Sequence, residues 1–180
     1  IMHKFLLKKY CFINSFEPNL IKFQDKNTSI IYRNYNKRNI LEEVLKIKAF
    51  CKKNRYELFL ANNIKLAIQL NIKGAYIPSF NQDFSHLSYS FKKNFILIGS
   101  AHNLKEIKIK KKQKVKKIFV SSVFKKNKNY LGINRFKTLS KNIESKVVAL
   151  GGINNTNIGK VKLLNISSIA GISFFKKKAP

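Results

Sequence analysis

The pair Gly151-Gly152, set directly after the apolar run Val147-Val148-Ala149-Leu150, is the feature best suited to hold an anion. Residues without a Cβ let backbone N–H groups close on a phosphate oxygen, and a helix opening near Asn155 would point its positive end the same way. The competing role is conformational, because Gly-Gly also turns a chain from strand to helix. Cations come next. Lys125, Lys126 and Lys128 crowd one short stretch, and Arg33 and Lys37 share another. Such groups stabilise a developing anion or, in a chain this rich in lysine, form a solvated loop. His102 and His86 are the candidate general bases near neutral pH, each as easily structural. Asp83 is a single carboxylate, by itself a poor site for a hard divalent cation.

These residues can act together only if secondary structure gathers them. Strand-like segments are expected at Tyr10–Phe16, Ser29–Tyr35, Glu57–Asn62, Gly74–Ser79, Phe95–His102, Lys117–Phe124, Lys146–Gly151 and Ser168–Phe174. Runs such as Phe95-Ile96-Leu97-Ile98 are continuously apolar, as strands covered on both faces should be. Between them, Ile40–Lys53 spaces Leu41, Val44, Leu45, Ile47 and Phe50 at helical intervals, Ile64–Leu70 repeats the pattern, and Asn155–Leu164 follows an Asn cap. Pro18 opens a short helix near the start. Strands alternating with helices in this number predict a small α/β chain, a (β/α)₈ barrel with truncated terminal helices. A parallel barrel keeps its site at the C-terminal strand ends. That topology alone selects residues 33–37, 61–63, 78–83, 100–103, 121–128, 151–154 and 171–173.

With 180 residues and 44% hydrophobic content, one core and a single domain over 1–180 are expected. The net charge of +29 suggests nucleic acid. Against that, arginine occurs only as Arg33, Arg38, Arg55 and Arg135, and the lysines are spread along the chain with abundant Asn and Ile. That pattern fits compositional drift better than a guanidinium-rich binding face. The run Lys108–Lys117 reads as the solvated, cationic C-terminal end of a helix. Cys11 and Cys51 lie in apolar segments without a metal-site neighbour and are expected as buried free thiols. No apolar run is long enough to span a bilayer, and none suggests a secretion signal, so a soluble, cytoplasmic protein is expected.

Three strand ends resemble the thiamine phosphate synthase and thiazole tautomerase (TenI-like) superfamily in order and spacing. Ile98-Gly99-Ser100-Ala101-His102-Asn103 is similar to the fifth-strand motif I-G-x-S-x-H, with one residue fewer between glycine and serine. Val147-Val148-Ala149-Leu150-Gly151-Gly152-Ile153 resembles V-V-A-I-G-G-I of the seventh strand. Ala170-Gly171-Ile172-Ser173 resembles the eighth-strand end that finishes in serine.

The resemblance implies thiamine biosynthesis: a transferase that joins hydroxymethylpyrimidine pyrophosphate to thiazole phosphate and releases pyrophosphate. It assigns the thiazole phosphate to Gly151, Gly152 and Ser173. Pyrophosphate falls to Lys37, Lys126 and Ser100, with Arg33 and Lys128 adding charge, and His102 is placed against ligand. Ser100, His102 and Lys126 form the catalytic set. The family's third-strand Asn-Asp-Asp/Arg group, whose Asp binds Mg²⁺, reads Ala61-Asn62-Asn63 here. Asp83 alone remains as a candidate Mg²⁺ ligand, so the metal site is expected to be degenerate. The turn Ile77-Pro78-Ser79 is closer to the tautomerase L-P-S, yet the tautomerase's sixth-strand His becomes Ser122, which is no general base unaided. A tautomerase or a non-catalytic thiazole-phosphate-binding barrel therefore stays open, as does, from another class, a basic nucleic-acid binder. The partners implied are small phosphorylated thiazole and pyrimidine substrates without membrane or nucleic acid, with a homo-oligomer left open.

Overall fold

Apolar runs of four to six residues, each followed by a polar turn and in most cases a helix, can bury both faces only by closing on one another. They do so. The computed structural model describes residues 7–162, 164, 166 and 168–176. The strands are β1 (Lys8–Ile13), β2 (Thr28–Tyr32), β3 (Leu58–Ala61), β4 (Gly74–Ile77), β5 (Ile96–Ala101), β6 (Lys117–Val120), β7 (Lys146–Leu150) and β8 (Ser168–Gly171). They form a closed barrel in chain order, every pair parallel, and β8 returns to β1 through Lys8↔Ser168 to Cys11↔Gly171.

The helices are α1 (Pro18–Lys22), α2 (Leu41–Lys53), α3 (Ile64–Gln69), α4 (Leu104–Lys112), α5 (Gly132–Lys141), α6 (Ile158–Lys162) and α7 (Ser173–Lys176). No α-helix joins β4 to β5; a 3-10 turn at Ser85–Ser88 stands there. Alternation along each strand makes two cores. Tyr10, Phe12, Ile31, Phe59, Tyr76 and Phe119 belong to the cluster filling the barrel, while neighbours such as Cys11, Ile30, Leu60, Ala75 and Ile118 pack beneath the helices. Inside, Tyr76 meets Phe12 and Phe119 edge-on at 5.2 and 5.5 Å between ring centroids. Such pairs contribute about 0.5–1.5 kcal/mol beyond area burial.

All eight expected strands are present, and each stops short of its expected C-terminal end. The sixth shows why. Beyond Val120 the chain leaves the ladder and folds onto the end of β7, where Val123 N–H donates to Leu150 O (3.0 Å) and Phe124 N–H to Gly151 O (2.9 Å). The helix expected from Asn155 begins instead at Ile158. The Asn154 side chain accepts from the amides of Thr156 and Asn157, forming a turn that delays it. Lys111 and Lys112 are exposed as expected for a helix end, but Lys110 is fully buried. It shares the inner face of α4 with Ile107, one turn earlier. Both cysteines are buried free thiols, pushed up to about 12 by burial. Among the described residues no helix is long and apolar enough to cross a membrane.

Candidate functional site

The β7 end is built around backbone that only glycine adopts comfortably. Gly151 and Gly152 have φ of +104° and +73°. A Cβ on Gly151 would lie 2.4 Å from Ser122 Oγ, and one on Gly152 would lie 2.5 Å from Lys125 N. The glycines are therefore needed first for close packing of the β6–α5 loop. Among the described residues, no turn, loop or side-chain acceptor takes the N–H groups of Gly151, Gly152 and Ile153. The carbonyls are engaged: Gly151 O accepts from Phe124 and Lys125, and Gly152 O from Asn157 Nδ2 at 2.8 Å. The register Leu150↔Ala170 sets Gly151 level with Gly171, so the glycine pair and the start of α7 share one section of rim. Ser173 is the first residue of α7; its side chain lies outside what is described.

At the top of the barrel core, Phe12, Tyr76 and Phe119 pack edge-on and are almost fully buried. Arg33, whose N–H donates to Ile13 O at 2.8 Å, lies just past β2 with its guanidinium 5.0 Å from the Phe12 ring centroid. Ser100 is buried on β5 beside Tyr76. Burial pushes the Tyr76 phenol up to about 12, while Ser100 and Arg33 pull it back. Above, Tyr35 and Phe80 reach from the β2 and β4 loops into an edge-on pair at 5.4 Å, both exposed.

The rim at β3 and β4 holds a different arrangement, a pocket of about 180 Å³ lined by Asn62, Asn63, Asn81, Asp83, Ser85 and His86 among others. Its oxygens already accept hydrogen bonds from within. Asn62 Oδ1 accepts from Asn81 Nδ2 (2.7 Å), Asn63 Oδ1 from Leu66 N–H (3.1 Å) and Asn81 Oδ1 from Asp83 N–H (2.8 Å). The exposed Asp83 carboxylate accepts from both the hydroxyl and the N–H of Ser85, which hold it below the usual range. Beneath, Lys110 Nζ donates to Asn81 O (2.8 Å) and Gln113 Oε1 (2.9 Å). Gln113 Nε2 donates to Asn81 O and Asp83 O, and His86 Nε2 meets Gln113 O at 3.0 Å. This buried network clamps the loop where a helix would otherwise stand.

The thiamine monophosphate synthase family model matches residues 19–175. The chain belongs to that family. Among curated relatives, it is 31% identical over 147 residues to the thiamine-phosphate synthase of Prochlorococcus marinus subsp. pastoris, covering 79% of this chain and 42% of that protein. It is 28% identical over 142 residues to the Methanococcus vannielii enzyme, covering 77% and 68%. The chain thus spans about two-fifths of the first relative's length. In fold it matches the thiamine phosphate pyrophosphorylase of Pyrococcus furiosus with a TM-score of 0.76 at 18% identity, covering 96% of this chain and 92% of the other.

Several expected site residues of this family member hold partners within the fold. Lys37 Nζ is bonded to Glu43 Oε2 at 3.0 Å. Burial alone would raise Glu43, but hydrogen bonds from Tyr32, Lys37 and the Phe16 amide outweigh it and leave the carboxyl below its ordinary value. His102 Nδ1 lies 2.9 Å from Glu106 Oε2, inside the cap that Asn103 and Glu106 form for α4. His86 is structural, buried beneath the 78–90 loop. Lys125, Lys126 and Lys128 are exposed in the β6–α5 loop. Sequence reasoning did not single out Tyr76, Tyr35 or Phe80. For Tyr76 the signal was available, since period-two alternation through Gly74–Ile77 turns it inward.

Proposed function

We propose that the chain is a thiamine-phosphate synthase whose single barrel carries the reaction. The thiazole ring nitrogen donates its lone pair to the methylene carbon of the pyrimidine. The carbon–oxygen bond to pyrophosphate breaks, and pyrophosphate leaves with the bonding electrons. In this reading the thiazole phosphate sits on the amides of Gly151 and Gly152, with Ser173 beside them. The exposed Tyr35–Phe80 pair, backed by the buried Phe12, Tyr76 and Phe119, offers the aromatic surface for the two rings. Ser100, Arg33, Lys126 and Lys128 face the departing pyrophosphate, whose charge they stabilise. His102 is oriented by Glu106 at the same rim, and Lys37 reaches pyrophosphate only by exchanging Glu43 for it. The observation carrying the proposal is the set of amides at Gly151–Ile153, which no turn, loop or side-chain acceptor among the described residues takes, at the strand end where the family resemblance puts the phosphate.

The family resemblance also implies Mg²⁺. The residues at the β3 and β4 ends do not fit it, because Asp83 is the one carboxylate there and the neighbouring amide oxygens accept hydrogen bonds within the loop. No step is assigned to a metal. A nucleic-acid role is not favoured, since exposed lysines occur on α2, α4 and α5 alike (Lys52, Lys108, Lys137) and define no single face. Nor is a tautomerase favoured, because the Ser122 hydroxyl donates to Lys125 O at 2.9 Å in place of a base.

Incubating the purified chain with hydroxymethylpyrimidine pyrophosphate and thiazole phosphate, with and without Mg²⁺, tests the proposal. Thiamine phosphate and pyrophosphate should form in equal amounts. Consumption of neither substrate would refute it.

A further inference from the structure

The charge balance at the barrel mouth extends the synthase reading. We infer that pyrophosphate is held there by protein cations, Arg33 and the lysines of the β6–α5 loop, and not through a divalent cation. This rests on the synthase reading for its substrate, but the binding claim stands on geometry of its own.

The chain has only eight Asp and Glu side chains, and each has a partner. Asp25 and Glu57 serve the opposite end of the barrel, bonded to Lys9 and to Lys8 with Ser29. Glu42 and Glu144 pair with lysines on helix surfaces, Lys46 and Lys111. At the C-terminal end, Glu17 lies 3.8 Å from Lys176, Glu43 takes Lys37 and Tyr32, and Glu106 takes His102 and Asn103. Asp83 is left, closed by Ser85. Mg²⁺ demands near-octahedral oxygen ligands and is usually held through one or two carboxylates. Recruiting one here would first require breaking an ion pair or a loop turn, and among the described residues no group of three metal-binding side chains exists.

Cations at the mouth are in the opposite condition. Arg33 forms no ion pair with a carboxylate among the described residues, and its charge lies over the Phe12 ring at the centre of the mouth. Lys125, Lys126 and Lys128 are likewise exposed without an ion-pair partner there. Their loop is fastened to the phosphate end of the rim, Lys125 N–H donating to Gly151 O at 3.3 Å. A polyphosphate arriving between Arg33 and this loop meets fixed positive charge with no carboxylate to displace, the arrangement that stabilises a leaving anion without a metal.

Calorimetric titration of the whole chain with sodium pyrophosphate in EDTA tests this directly. Binding should occur in EDTA and weaken on adding Mg²⁺, which competes for the same oxygens. Arg33→Met with Lys126→Met should lower affinity by about tenfold or more, and Arg33→Lys alone should retain most of it. A control pair on α4, Lys105→Met with Lys108→Met, should leave it within about twofold. Circular dichroism confirms that each variant is folded. Binding only when Mg²⁺ is present would overturn the inference, and so would an equal loss in the control pair, which would mean attraction to overall charge. Thiamine phosphate formation is then followed in EDTA and in Mg²⁺. Equal rates support the inference, and a rate that appears only with Mg²⁺ refutes it. Absence of product in both refutes the synthase reading alone and leaves the titration to decide the site.

Discussion

The two sides of the barrel mouth handle polar groups in opposite ways. At the β7 end, positive-φ glycines leave successive N–H groups at the rim while their carbonyls anchor the β6–α5 loop. At the β3 and β4 ends, Asn62, Asn81 and Asp83 are linked by hydrogen bonds to one another and to Ser85, and clamped from below by Lys110 and Gln113. The first arrangement has donors to offer a ligand. The second has used its acceptors to hold a loop that lacks a helix. A site carried by backbone depends on glycine persisting, whereas a site carried by side chains depends on the identity of each residue.

The contrast can be broken most severely at the glycine end. Gly152→Ala forces a Cβ against the Lys125 backbone at positive φ, a strain of about 1–3 kcal/mol. Thermal melts should fall by roughly 3–10 °C, and thiazole phosphate affinity should drop more than about tenfold. Gly152 is thus not a position where binding can be removed without touching the fold.

On the other side, Lys110→Met removes a donor from buried Gln113 Oε1 and Asn81 O, costing about 1–3 kcal/mol in denaturant unfolding at neutral pH. Burial pulls the Lys110 ammonium down to about 8 from 10.5. Between those values the folded chain releases a proton that the unfolded chain keeps, so stability at this position rises with pH. The advantage of wild type over Lys110→Met should be flat below pH 8 and widen toward pH 10.5. A gap that narrows over that range would contradict the assignment.

Smaller effects sharpen the contrast further. Phe80→Ala removes the edge-on contact with Tyr35 and should raise KM about twofold with kcat unchanged, since exposed aromatic pairs contribute about 0.5 kcal/mol. Asp83→Asn should change turnover by less than about twofold; a loss of a hundredfold or more, measured in the same assay, would mean that the carboxylate holds a metal after all.

Much of this was legible in the residues. Continuous apolar runs identified all eight strands, and Gly151-Gly152 stood out because residues without a Cβ let amides close on an anion and because the run resembles the family's seventh-strand motif. What stayed hidden was long-range pairing. Lys110 sits in a run of lysines and reads as solvated, and only packing against the 78–90 loop shows it buried. Lys37 looked free until Glu43, one turn into α2, proved to hold it. The Asn62–Asn81 bond joins residues 19 positions apart, and no periodicity announces it.

The most direct test follows backbone amides by ¹⁵N–¹H correlation spectra as thiazole phosphate is added to the labelled chain. The account predicts that the resonances of Gly151, Gly152 and Ile153 move downfield and saturate together, while those of Asn62, Asn81 and Asp83 stay nearly still. Saturable shifts confined to Asn62, Asn81 and Asp83, with the glycine amides unmoved, would contradict it.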